Sequence, residues 1–356
     1  MTDWKMFEEL TQAPGAPGYE HHVRELMRHY LTPYADEVIQ DRLGGLFAVR
    51  KGNDVKGPKV LVAGHMDEVS FMVTKITAEG FIQFQTLGGW WSQVMLAQRV
   101  DILTRSGKMI AGVIGSIPPH LLSMERRKKA FEIDQMFIDV GANGKEQVEE
   151  WGIQPGDFII PHSPFTELEG GHRLMSKAWD NRFGCGLAIE LLKRLPQAEQ
   201  PNLLYSGATV QEEVGTRGAA VSSNLIQPDV AFAVDSGPAG DIPGVSNGYG
   251  EIGKGVLIRL YDRSMITLPG MRDFLLDIAE SEGIPYQFFV SPGGTDAGRF
   301  HISGEGVPTA AIGICARYIH SHASIVDKED IEASIAFIVA LTKHLNQSTY
   351  ESLLAR

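Results

Sequence analysis

Apolar and polar positions alternate along this chain in two registers. Almost unbroken apolar runs at Lys59–Ala63, Asn202–Val210, Asp229–Val234, Val256–Tyr261, Tyr286–Val290 and Thr309–Ile314 predict strands. Their lack of a polar face predicts burial on both sides. Between several of them, apolar positions three and four apart predict helices over Phe183–Leu195, Met271–Ser281 and Ile331–Leu345. Ahead of these lie two amphipathic helices, Asp3–Thr11 and Glu20–Leu31, separated by the Pro/Gly loop Ala13–Tyr19, and then short strands at Glu37–Gln40 and Leu46–Arg50. Strand and helix in alternation predict an α/β fold with a mostly parallel central sheet flanked by helices, whose site lies beyond the carboxyl ends of the strands.

From Val69 to about Pro164 the pattern changes. Short alternating strands at Phe71–Ile76, Phe81–Gln85, Arg99–Leu103, Met109–Ile114 and Asp157–Ile160, broken by glycine turns, predict a small β-rich domain. The expected organisation is one α/β domain of residues 1–68 and 165–356, interrupted by an inserted domain of residues 69–164 that brings no residue of evident chemistry.

Composition narrows the function. With 44 acidic and 32 basic residues the 356-residue chain carries a net charge of −12, which argues against nucleic acid as a partner. The basic run Arg126–Lys129 reads as a solvated loop. No stretch approaches the ~18 apolar residues that span a bilayer, and the first residues lack a basic region leading into an apolar core. The two cysteines, Cys185 and Cys315, sit in apolar surroundings with no base nearby, so a cytoplasmic protein with reduced thiols is expected, without a cysteine nucleophile.

Seven acidic or histidine residues fall where apolar strands run out: His65, Asp67, Asp180, Glu212, Glu213, Asp235 and His320. In Gly64-His65-Met66-Asp67-Glu68, a histidine able to bind metal through one ring nitrogen is followed by a carboxylate able to orient a neighbour. Alone, that is also an ordinary capped strand end. Asp180 precedes a helix, where it either caps the helix or presents both oxygens to two metals ~3.5–4 Å apart. The adjacent Glu212 and Glu213 can diverge, one toward a metal and one toward water. Asp235 follows an apolar run and precedes Ser-Gly-Pro. His320 and His322 are not separated by spacing, because alternation would send both to one side. Asp296, beside Thr295 in a glycine turn, either caps the next helix or faces the site. His120, His162, His172 and His301 lack such placement and are expected to be surface or packing residues.

Six ordered motifs, GHMDE, WDNR, EEVGTRGA, VDSG, GGTDAG and YIHSH, give the chain a close resemblance to the tetrahedral-assembly and glutamyl aminopeptidase family of two-metal metallopeptidases. The resemblance spans essentially the whole chain. It implies a zinc-peptidase-like catalytic domain and a β-barrel or PDZ-like insert that mediates dimer contacts, the dimers assembling into dodecamers. It implies His65, Asp180 and Asp235 at one metal and Asp180, Glu213 and His320 at the other, Asp180 bridging. Glu212 is then the general base and Asp67 the residue orienting His65, with Thr295 and Asp296 near substrate or behind the ligands. Sites of this composition suit zinc or cobalt. The activity implied is removal of N-terminal residues from peptides. A glycoside hydrolase of endoglucanase type, built on paired carboxylates, and a non-catalytic assembly scaffold are the competing readings.

Overall fold

The computed structural model describes residues 2–246, 248 and 250–354. Its centre is an eight-stranded sheet in the order Glu37–Gln40, Leu46–Arg50, Leu203–Thr209, Lys59–His65, Val230–Pro238, Thr309–Ala316, Val256–Tyr261, Tyr286–Val290. The four middle strands, Leu203–Thr209 through Thr309–Ala316 in that order, run parallel. Leu46–Arg50 and Val256–Tyr261 flank them antiparallel. All four carboxyl ends of the middle strands therefore open on one edge; His65, Asp67, Glu212, Glu213, Asp235 and His320 lie on them or just beyond, whereas Asp180 follows the short strand Arg173–Ser176 outside this sheet and Thr295 and Asp296 follow the edge strand Tyr286–Val290.

The continuous apolar runs reflect helices on both faces. On the Lys59–His65 strand, Val60 and Val62 join a core with Phe7, Trp179, Phe183 and Phe337, whereas Leu61 and Ala63 face a second core with Ala219, Ala297 and Phe300. Those residues come from helices Trp4–Gln12, Trp179–Arg194 and Lys328–His344 on one side, and from Arg217–Ile226 and Asp296–His301 on the other. Alternation thus buries the whole strand. The helix Trp179–Arg194 reaches this strand through two glycines: a Cβ on Gly64 would stand 2.5 Å from the carbonyl carbon of Gly184. Any side chain at either position would push the helix, and Asp180 with it, off the strand that ends in His65.

Ser70–Ile76, Ile82–Leu87, Ile138–Asp139, Met109–Ile114, Arg99–Leu103 and Phe158–Pro161 close into a six-stranded barrel in that order. Phe71, Val73, Ile82, Ile102, Ile138 and Ile159 fill it, a core of its own. Closure removes exposed strand edges. The short strand Ile138–Asp139 was not among the predicted elements, nor was a separate small sheet of Thr166–Glu167, Arg173–Ser176 and Ser324–Asp327. Both consist of segments too short for periodicity to register. Among the described residues no helix is long and apolar enough to cross a membrane.

Candidate metal centre

Asp180 stands at the middle of the candidate residues. Its Oδ1 lies 3.1 Å from His65 Nε2 and its Oδ2 3.3 Å from His320 Nε2. It does not cap the following helix. That work falls to Asn181, whose Oδ1 accepts from Gly184 N at 2.9 Å and whose Nδ2 donates to the Val234 carbonyl at 2.6 Å. Both oxygens of Asp180 are left for the histidines. Ligating atoms of His65, Asp180 and Asp235 lie within 4.8 Å of one another, as do those of Asp180, Glu213 and His320. Asp180 belongs to both groups.

Each remaining residue has an identifiable local support. His65 Nδ1 faces the Asp67 main-chain carbonyl at 3.1 Å, with Asp67 Oδ1 at 3.5 Å, so Nε2 is left for the cluster. His320 Nδ1 faces the Gly89 carbonyl at 2.9 Å. Gly89 lies in the 69–164 segment, so the expectation that this segment is chemically silent does not hold. Glu212 and Glu213 diverge: Glu212 Oε2 is 3.9 Å from His65 Nε2, Glu213 Oε1 3.5 Å from His320 Nε2. Asp235 Oδ1 is 3.7 Å from His65 Nε2. Asp235 does not follow its strand but lies within it. Val230–Pro238 stays paired with Thr309–Ala316 through Pro238, whereas its pairing with the His65 strand stops at Ala233, which frees Asp235 toward the histidine.

Left-handed backbone at non-glycine residues concentrates here. Ala178, Gln211, Tyr318 and His320 have φ of 58°, 57°, 61° and 57°. Each is a candidate ligand or stands within two residues of one, the kind of strain that turns a side chain inward at a site. His322 joins neither ligand group, and its Nδ1 is buried without a hydrogen-bond partner. Thr295 caps the helix Asp296–His301, its hydroxyl accepting from Ala297 N at 3.2 Å. Asp296 does not cap. One of its oxygens takes the Thr209 hydroxyl at the end of the strand Leu203–Thr209, while Oδ1 is buried and unpartnered.

The electrostatics are those of acidic groups crowded together away from water. Burial pushes the Glu213 carboxyl up to about 8, with Asp180 adding to it. Burial likewise raises Glu212 well above its ordinary value, Asp296 to about 7, and Asp235. Burial opposes protonation of His320, but its hydrogen bond to Asp180 and the Glu213 charge lift it to about 10. His65 is likewise raised, burial being outweighed by Asp180, Asp235 and Asp67. Crowding of buried carboxylates and imidazoles thus raises the proton affinity of Glu212, Glu213, Asp235 and both histidines, while Asp180 between the histidines is lowered. Divalent ions relieve that conflict, and a donor set of two histidines and several carboxylates suits them. The buried Glu213 Oε1, which has no hydrogen-bond partner, points to the same requirement.

Three buried charges lock this edge from behind. Lys177 Nζ lies 2.7 and 2.8 Å from the two oxygens of Glu68, and Arg182 Nη2 lies 3.1 Å from Glu68 Oε1. Arg182 also donates to the main-chain carbonyls of Met66 and Ala13 at 2.8 Å each. Neither basic residue was singled out in the sequence, and only the WDNR motif carried Arg182.

A parallel-stranded α/β core with two overlapping His/carboxylate groups at its carboxyl edge is the layout of a metal-dependent hydrolase. Residues 44–337 match the family described as M42 glutamyl aminopeptidase, and the chain belongs to that family. It is 40% identical over 338 residues to the glutamyl aminopeptidase of Lactococcus lactis subsp. cremoris, covering 95% of each chain. Among solved structures it is similar to the TET aminopeptidase of the marine sediment archaeon Thaumarchaeota archaeon SCGC AB-539-E09, with a TM-score of 0.95, 42% identity and 98% of each chain covered. It is also similar to the Pyrococcus horikoshii TET1 peptidase, which can assemble into a tetrahedron or a large octahedral shell, with a TM-score of 0.85, 32% identity, and 96% of this chain and 99% of that one covered. The protein is a peptidase hydrolase, a metal-dependent aminopeptidase.

Proposed function

We propose that the two ligand groups hold two divalent ions, zinc or cobalt, with His65, Asp180 and Asp235 at one, Asp180, Glu213 and His320 at the other, and Asp180 bridging. The observation that carries this reading is the geometry of Asp180, whose two oxygens each face a different histidine. Bound there, the ions supply Lewis acidity toward the scissile carbonyl and toward the attacking water. Glu212 is the general base: it stands beside the ligands without belonging to either group, its Oε2 3.9 Å from His65 Nε2. Its carboxylate takes the proton from water and returns it to the departing amine nitrogen. Asp67 steadies His65 and the Glu212–Glu213 segment. The acidic surplus around the cluster offers an acceptor to the α-ammonium of a peptide, which favours removal of the N-terminal residue. Thr295 and Asp296 stand next to the ligands and support that wall of the site.

A pocket of about 580 Å³ opens against His320, lined by Gly89, Trp91, Val94, Tyr318 and Ile319, wide enough for peptide residues. We assign residues 69–164 as an inserted domain that mediates dimer contacts, dimers assembling into a dodecamer, on the strength of its closed barrel and the tetrahedral assembly of the P. horikoshii relative. A cytoplasmic location agrees with the two free buried cysteines. A glycoside hydrolase uses two carboxyl groups and has no need of His65 or His320. A scaffold has no need of a complete ligand set.

Glu212→Gln tests the assignment. The variant is expected to bind two metal equivalents by elemental analysis and to lose turnover of aminoacyl substrates by about 10²-fold or more. Retained activity rejects Glu212 as the base.

A further inference from the structure

The segment that carries the candidate base has unusual main-chain bonding. Gln211, Glu212 and Glu213 link the strand Leu203–Thr209 to the helix Arg217–Ile226, and each of their three N–H groups donates to a side-chain carboxylate. Glu212 N and Glu213 N reach Oδ1 and Oδ2 of Asp67, both at 3.0 Å. Gln211 N reaches Oε1 of Glu20 at 3.1 Å. Gln211 needs such a restraint, since its φ of 57° places a residue with a Cβ in the left-handed region that sterics disfavour. Released, it would relax and turn the next two side chains away.

Glu20 is well placed to restrain it. It is 2% exposed, and the same Oε1 accepts from Gly18 N at 2.8 Å, so the carboxylate is fixed at its own end. The loop that carries it is itself tied to the site. Glu68 N donates to the Gly15 carbonyl at 2.9 Å, and Arg182, two residues after Asp180, donates to the Ala13 carbonyl. A carboxylate buried with Asp67 close by is unfavourable unless its hydrogen bonds repay the burial.

We propose that Glu20 is a positioning residue of the reaction: through the Gln211 N–H it sets the direction of Glu212 and Glu213, acting jointly with Asp67. This rests on the roles assigned above to Glu212 and Glu213. Glu20 touches neither metal nor substrate. It adds to Asp67 a second carboxylate, from an element distant in sequence, so that three successive peptide N–H groups are held from two directions.

The test uses full-length protein stripped of metal and titrated with Co²⁺, read by visible absorption, alongside kcat and KM on aminoacyl substrates. Glu20→Ala is expected to weaken the weaker cobalt site and lower kcat by about 10–100-fold each, the effect typical of losing a group that orients ligands, with KM little changed. Glu20→Gln, which keeps the accepting Oε1, is expected to stay within about threefold of the parent in both readouts. Glu20→Asp, which keeps the charge but shortens the reach, falls between them and serves where the alanine variant does not fold. Unchanged cobalt binding and kcat in Glu20→Ala overturn the proposal. So does a loss shared equally by Glu20→Gln and matched by a lower melting temperature, the signature of a merely structural role. Cobalt absorption reads the site without turnover, so an inactive parent that still binds two cobalt ions counts against the aminopeptidase assignment while the cobalt comparison still decides the role of Glu20.

Discussion

Glu68 and Lys177 form an ion pair in the interior, 2.7 Å apart, with side chains 2% and 4% exposed. They join the strand end that carries His65 and Asp67 to the loop that carries Asp180. Removing one partner strands the other charge away from water. Glu68→Ala is therefore expected to cost about 3–5 kcal/mol, because Lys177 and Arg182 lose their shared carboxylate together. Urea denaturation of the metal-free protein measures this without interference from metal binding. A loss under about 1 kcal/mol would mean that water replaces the carboxylate there, against the burial described above.

Metal stoichiometry should separate the two histidines that spacing could not. His320→Ala removes a donor from one ligand group and is expected to leave one tight metal equivalent of two. His322→Ala removes none and should keep both. Asp180→Ala takes a donor from both groups, and both equivalents should fall. Inductively coupled plasma analysis after dialysis reads all three variants. Two equivalents retained in Asp180→Ala would end its assignment as the bridge.

Asp330 gives a pH dependence away from the metal cluster. It is 1% exposed and accepts from Gly253 N and Gly255 N at 2.7 Å each, yet burial raises it from 3.8 to about 6. A folded-state value above the unfolded one means that the stability contribution is complete below pH 3.8 and is lost as pH rises through about 6. Asp330→Asn does not titrate. The parent is thus expected to lose ground to the variant between pH 4 and 7, by roughly 3 kcal/mol at most at 1.36 kcal/mol per pKa unit. Urea midpoints of both proteins across that range check the sign. A difference that stays flat would mean that the two glycine N–H bonds offset the burial of Asp330.

The sequence made the candidate ligand positions legible for a physical reason. A strand buried on both faces must be apolar until it leaves the sheet, so His65 and the Glu212–Glu213 pair announce themselves by breaking the runs that precede them. Asp235 broke a run in the same way, although its strand continues to Pro238. Losing one neighbouring strand admits polar residues before the strand ends, and a run of letters cannot register the loss. What stayed hidden acts through the main chain or across long separations. Gly89 meets His320 from 231 residues away, and Glu20 meets Gln211 from 191. A carbonyl that orients a ring looks like any other glycine in the sequence. Asp180 and Asn181 show a further limit: both suit a helix cap, and only the fold decided that Asn181 takes that place.

The bond between Gly89 and His320 also bears on the part that the 69–164 segment plays. Were the 69–164 segment a passenger, it could be excised and the two flanking pieces rejoined without harm to the chemistry. His320 Nδ1 would then lose the carbonyl that fixes one side of its ring, at a residue 40% exposed. The interruption between His65 and Asp180 therefore supplies a part the remainder lacks, and a shortened chain reduced to the α/β core would keep its donors while losing the aim of one of them.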